Sequence, residues 1–95
     1  MSFEIRFTPE SGITYTAVET QLQEKWGEKV VLKFEAKLKK TIKTLSNNPY
    51  LYAVIHEDLQ LRKCVLHSNC SVIYRIYKKE VLIVTFWDNR QDPAF

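Results

Sequence analysis

The chain has 95 residues, 45% of them hydrophobic and 26% charged, with a net charge of +3. That length supports a single core, hence one domain over 1–95, and the composition excludes a disordered or fibrous chain. No apolar run nears the roughly 18 residues of a membrane span, residues 1–4 lack signal-peptide character, and two cysteines are too few for a disulfide framework or a zinc site.

The expectation is therefore a soluble cytoplasmic protein that needs no metal and no cofactor. The mild positive charge permits an anionic partner, but it falls short of the dense basic patch of a strong nucleic-acid binder. No sequence-specific DNA binding by this chain alone is expected.

Phe3-Glu4-Ile5-Arg6-Phe7 alternates apolar and charged residues, the pattern of a half-buried strand. Thr8 is a good N-cap, Pro9 suits a first helical position and Glu10 favours the positive end of the helix dipole. A helix is predicted from here, although Gly12, Thr14 and Thr16 are weak helix formers. Val18, Leu22 and Trp26 recur at i, i+4 and i+8 as an apolar stripe until Gly27 breaks the run.

From about Glu28, Val31, Phe34, Leu38, Ile42 and Leu45 line one face of a second helix. Lys29, Lys33, Lys37, Lys40 and Lys43 occupy the opposite face, which reads as solvated rather than as a nucleic-acid patch. Glu35 and Lys39 add an i, i+4 pair. Asn47-Asn48-Pro49 ends this helix, and two antiparallel helices joined at one glycine can cover one face of a sheet.

Residues 50–58 show no period and read as a loop. Strands follow at 61–66, 70–77 and 81–87, with turn signals at His67-Ser68-Asn69 and Lys78-Lys79-Glu80 short enough for antiparallel hairpins. In the middle strand Val72, Tyr74 and Ile76 read as core. Ser71, Ile73, Arg75 and Tyr77 fall on the other face, so Arg75 points away from the helices, because burying a lone charge is expensive. The last strand is apolar at six of seven positions without alternation, which calls for cover on both faces.

The fold expected is α+β: strand–helix–helix–strand–strand–strand, with the helical hairpin on one face of a small, mainly antiparallel sheet. The other face, bearing Ile73 and alternate residues of 81–87, lacks cover in this chain and reads as an apolar binding surface rimmed by arginine. The hairpin registers stay open, and with them whether Cys64 and Cys70 share a face.

This order of elements, the segment Val72-Ile73-Tyr74-Arg75-Ile76 and the ending Phe86-Trp87-Asp88-Asn89-Arg90-Gln91-Asp92-Pro93 together resemble the RelE/ParE superfamily. Its members are the toxin halves of bacterial type II toxin–antitoxin pairs. The resemblance covers the whole chain: the early strand entering Thr8-Pro9, the hairpin ending near Asn48-Pro49, Leu61-Arg62 entering the sheet, and the closing Arg90, Asp92 and Pro93. It implies growth inhibition, a role in plasmid stabilisation, and a cognate antitoxin that covers apolar surface.

RelE-like members cut mRNA on the ribosome with basic residues on the open sheet face. ParE-like members are similar in fold, lack that set and inhibit DNA gyrase. Here the two alternating lysines of the RelE pattern fall on Arg62 and Cys64, its strand-opening arginine on Ser71, and its late arginine at or beside Arg90, with Gln91 the neighbouring position. Two of four cations are missing.

The resemblance is thus closer to ParE and implies a non-enzymatic toxin of gyrase, with Arg90, Arg75, Arg62, Ile73 and Trp87 as candidate target or partner contacts. Two alternatives stand beside it. One is a ribosome-dependent endonuclease using Arg62, Arg75 and Arg90; the other is an inactive paralogue that only binds antitoxin. His56, Glu57 and His67 could replace missing catalytic groups but read as surface residues. Phe95 stands where some cleaving relatives end in tyrosine, and it could stack but not transfer a proton. Arg90 has a structural reading too, as a partner of Asp88 or Asp92, and Trp87 reads as core more readily than as contact.

Overall fold

In the computed structural model, which describes residues 2–67 and 70–89, the alternating N-terminal segment forms strand β1 (Glu4–Phe7) and leads into helices α1 (Pro9–Trp26) and α2 (Glu28–Asn47). Thr8 is the N-cap: it is extended, and its Oγ1 accepts the Ser11 N–H at 3.0 Å. The same hydroxyl donates to Val84 O at 2.7 Å, so the cap also ties α1 to the sheet. Thr8→Ala removes both bonds and is expected to destabilise the protein by about 1–2 kcal/mol. A thermal melt followed by circular dichroism should show a Tm lower by about 10 °C.

Gly27 closes α1 and opens α2. Its φ of 87° suits glycine, and its N–H reaches Leu22 O and Gln23 O at 3.2 and 3.0 Å. A 3₁₀ turn (Pro49–Leu51) and strands β2 (Val54–His56), β3 (Leu61–His67), β4 (Cys70–Tyr77) and β5 (Glu80–Asp88) follow. The segment read as a loop over 50–58 therefore contains an edge strand. β2 is only three residues long and bulged: Val54 stands opposite Arg62 and His56 opposite Leu61. So short and irregular a strand leaves no period in the sequence.

The sheet order is β1-β5-β4-β3-β2. β1 pairs with β5 in parallel, Ile5 opposite Val81 and Phe7 opposite Ile83, and every other pair is antiparallel. This is the α+β architecture, with one parallel edge on a mainly antiparallel sheet. Among the described residues, β5 has no strand beside it on the β1 side beyond Ile83. There α1 supplies hydroxyls instead: Thr8 bonds Val84 O, and Thr14 Oγ1 accepts the Phe86 N–H at 3.0 Å. The weak helix formers at the start of α1 thus satisfy the open edge of β5.

The unbroken apolar run in β5 also has a local cause. Ile73 pairs with Thr85 but Tyr74 pairs with Ile83, so Val84 is an extra residue. That bulge reverses the inward–outward order. Val81, Ile83 and Phe86 face the helices; Thr85 and Trp87 take the opposite side, Thr85 at the edge, where its hydroxyl still reaches Thr14 Oγ1 of α1 at 3.4 Å.

Leu22, Phe34 and Leu45 from the helices meet Cys64, Leu66, Cys70, Val72, Tyr74, Val81, Ile83 and Phe86 from the sheet. The Tyr15 ring packs near Phe34 and Phe86, with centroids 5.9 and 5.2 Å away. Cys64 and Cys70 share this core face as free thiols. Burial raises both, Cys70 up to about 12, which leaves them unreactive. The α1 stripe does not hold to its end: Trp26 is 62% exposed, lining a small cleft with His67 and Cys70.

Candidate functional site

Residues directly opposite one another in an antiparallel ladder share a face. On the side away from the helices this puts Lys63, Ile73 and Thr85 in one row, and Val65, Ser71 and Trp87 in the next. Arg75 sits opposite Leu82, which in turn faces Arg6 of β1. Ile73, Arg75 and Trp87, three of the residues singled out from the sequence, are thus brought together.

Arg62 is not among them. It stands opposite Tyr74, on the helix side, and its Nη1 donates to Tyr52 O at 2.6 Å and Tyr50 O at 3.5 Å. Its guanidinium lies 5.2 Å from the Tyr50 ring centroid. This geometry pins the segment that enters β2. The cation that β3 offers to the outer face is Lys63, a residue that no motif of the sequence marks. Arg90, Gln91, Asp92 and Phe95 lie outside the described residues, as does the turn at Ser68 and Asn69.

The centre of this face is not the bare apolar surface expected. Ser71 is 0%, Ile73 1% and Thr85 4% exposed. β4 is the middle strand, bordered by β3 and β5. Ser71 donates to Asn89 Oδ1 at 2.6 Å, and Asn89 Nδ2 donates to His67 O at 3.3 Å, closing one end. Half-buried Lys63, Arg75 and Trp87 rim the centre, with exposed Val65 and Tyr77 beside them. Arg6 is held by Glu80 at 3.2 Å and Glu4 at 3.6 Å.

Two cations around an apolar strip with Trp87 and Tyr77 can grip an acidic or aromatic surface. Among the described residues, acid–base groups do not converge there. His56 Nδ1 accepts the Leu59 N–H at 3.1 Å in the β2–β3 turn, and His67 lines clefts on the helix side. Among the described residues no three His, Cys, Asp or Glu side chains gather as a metal site, and no helix is long and apolar enough to cross a membrane.

On the helical layer Lys29, Lys33, Lys37, Lys40 and Lys43 of α2 are exposed, as expected from the sequence; Lys33 and Lys37 border a cleft with Phe34, Leu66 and His67. Tyr15 donates to Glu19 Oε2 at 3.0 Å. The Glu35 carboxyl is raised because its protonated form hydrogen-bonds Glu19, helped by desolvation and by repulsion from Glu19, and opposed by Lys39. A raised carboxyl contributes stability below its ordinary value and loses it as pH rises through the raised one. Glu35→Gln keeps the hydrogen bond without the charge. Its Tm is expected to exceed that of the native protein at about pH 7, and the difference should vanish toward about pH 4. A constant difference across that range in paired melts would refute the shared-proton account.

Residues 5–93 match the family described as ParE toxin of type II toxin-antitoxin system, parDE. A chain of the chromosomal ParDE toxin–antitoxin system from P. aeruginosa is similar in fold, with a TM-score of 0.75 at 17% identity, covering 92% of this chain and 96% of that one. A chain of the E. coli DinJ–YafQ toxin–antitoxin complex gives 0.63 at 15%, covering 95% and 96%. One from the heterotetrameric YoeB–YefM toxin–antitoxin complex of Staphylococcus aureus gives 0.58 at 13%, covering 90% and 94%. No curated protein matches in sequence.

Proposed function

Because the chain belongs to the ParE toxin family of type II toxin–antitoxin systems, we propose that it arrests growth by binding a cytoplasmic protein target, DNA gyrase, and that a cognate antitoxin neutralises it. The rim of the β3–β4–β5 face, with Lys63, Arg75 and Trp87 around its buried centre, is the contact surface. One observation carries the choice of a binding toxin over a nuclease. Two positions where the resemblance to RelE calls for cations hold Cys64, 2% exposed in the core, and Ser71, fully buried and bonded to Asn89. Neither can present charge to RNA.

Lys63 and Arg75 on the same face favour a second reading, ribosome-dependent mRNA cleavage, since together they could hold a phosphate. Pulse-labelling of protein and DNA in the first minutes after induction without antitoxin separates the two. Early failure of DNA synthesis with a damage response supports gyrase. Early failure of protein synthesis with cleaved mRNA overturns it, and continued growth of cells that express the folded chain removes the toxin activity altogether. Arg90→Ala is expected to weaken growth arrest while antitoxin binding persists; undiminished arrest by an equally expressed variant would remove Arg90 from the contact surface.

A further inference from the structure

A cleft of about 350 Å³ opens between α2 and the end of β3, lined by Val30, Lys33, Phe34, Lys37, Leu66 and His67. Its volume falls within the roughly 300–1,000 Å³ of small-ligand sites. Val30 and Phe34 stand one turn apart on α2, and so do Lys33 and Lys37, so the helix sets an apolar row beside a cationic one. Phe34 and Leu66 belong to the core and are almost wholly buried, so core packing fixes the floor of the cleft.

The charge at the mouth of this cleft is not cancelled from within it. Among the described residues that line it, none is acidic. Glu35 lies two residues from each lysine, about 200° round the helix. There it hydrogen-bonds Glu19 of α1 and meets Lys39. Glu28 is five residues before Lys33, about 140° round. The Cys64 thiol senses the Lys37 charge, but burial keeps it protonated, so it offers that lysine no counter-charge.

We propose that this cleft binds a small amphiphilic carboxylate, its acyl or aryl tail on Val30, Phe34 and Leu66 and its carboxylate between the Lys33 and Lys37 ammonium groups. Two cations one turn apart can share the two oxygens of one carboxylate. Burial of the tail supplies the affinity, and the ion contacts supply the selectivity against neutral and cationic amphiphiles. Leu66 belongs to the face of the sheet under the helices, whereas Lys63 and Arg75 stand on the other. The site is therefore separate from the surface assigned to the target, and it does not rest on the toxin reading.

The test is calorimetric titration of the full chain at about pH 7 with octanoate, octan-1-ol and octylamine, each kept monomeric, with a thermal melt of each mixture. Octanoate is expected to bind about tenfold tighter than octanol, octylamine more weakly than either, and acetate, which has no tail, not measurably. At about ten times its Kd, octanoate should raise the Tm by about 7 °C. The neutral pair Lys33→Gln/Lys37→Gln is expected to bring octanoate down to the level of octanol. Lys33→Glu/Lys37→Glu should invert the order, so that octylamine binds tighter than octanoate. Lys40→Glu/Lys43→Glu makes the same change in net charge on exposed residues of α2 outside the cleft, and should keep octanoate affinity within about threefold.

Absence of octanoate binding, or equal affinity for octanoate and octanol, would overturn the proposal. So would an equal loss in the two Lys→Glu pairs, which would show diffuse attraction in place of a site. Binding to vesicles of phosphatidylglycerol by a chain that ignores octanoate would give these lysines to a membrane surface and overturn it as well. A chain that binds octanoate yet arrests no growth keeps this site and loses the toxin reading; one that arrests growth and ignores octanoate does the reverse.

Discussion

Tyr74→Ala is expected to unfold most of the protein at physiological temperature. Tyr74 is 0% exposed, sits mid-strand in β4 and belongs to the core shared by sheet and helices. Truncating a buried aromatic to alanine costs about 3–5 kcal/mol through lost transfer energy and the cavity left behind. Its hydroxyl donates to Pro49 O at 2.6 Å, and burial pushes it up to about 12, so it remains a donor throughout the working pH range. Orphaning that carbonyl adds about 1 kcal/mol. Domains of this size hold about 5–15 kcal/mol in all, so the sum removes from about a quarter to the whole of the total. The Tm should fall by about 20 °C, and Tyr74→Phe by only about 5 °C. Equal effects of the two substitutions in urea and thermal melts would show that the hydroxyl, not the ring, anchors the 3₁₀ turn.

Arg62 and Lys63 are adjacent in sequence and are expected to fail in opposite ways. Arg62→Ala removes charge-assisted bonds to two backbone carbonyls, a loss of about 2 kcal/mol and about 10 °C in Tm, while growth arrest at a permissive temperature survives. Lys63→Glu/Arg75→Glu leaves the melt almost unchanged, because both side chains stand on the outer face. On the reading that this face grips the target, two reversed charges cost several kcal/mol in the complex, at least about a hundredfold in affinity. Melts and growth curves on the same variants check both. A loss of toxicity without a loss of Tm in Arg62→Ala would return that residue to the contact surface.

This pair also marks the limit of what the sequence could tell. The N-cap at Thr8, the break at Gly27, the long stripe of α2 and the three major strands all rest on local chemistry, and each stands where the residues put it. The register of β3 does not rest on local chemistry. Leu61, Lys63 and Val65 make one alternating set and Arg62, Cys64 and Leu66 the other, each with one charge and two apolar residues. Either set could face the core, and a one-residue shift exchanges them. Only pairing with β4 decides. The Val84 bulge hid the alternation of β5 in the same way, and β2 exists only because β3 lies beside it. The cation set of the candidate face was therefore half legible: Arg75 could be placed from the pattern of β4, and Lys63 could not.

The parallel pairing of β1 with β5 bears on when the protein can first exist as a folded molecule. Thr8 and Val84, bonded across the junction of α1 and β5, are 76 residues apart. At about 5–20 residues per second of synthesis, the N-terminal strand waits roughly 4–15 s for its neighbour. The helical hairpin can close at once and the β3–β4–β5 meander later, each from local contacts. The five-stranded sheet has to await translation of almost the whole chain. A partner made earlier would meet the emerging hairpin before that sheet is closed.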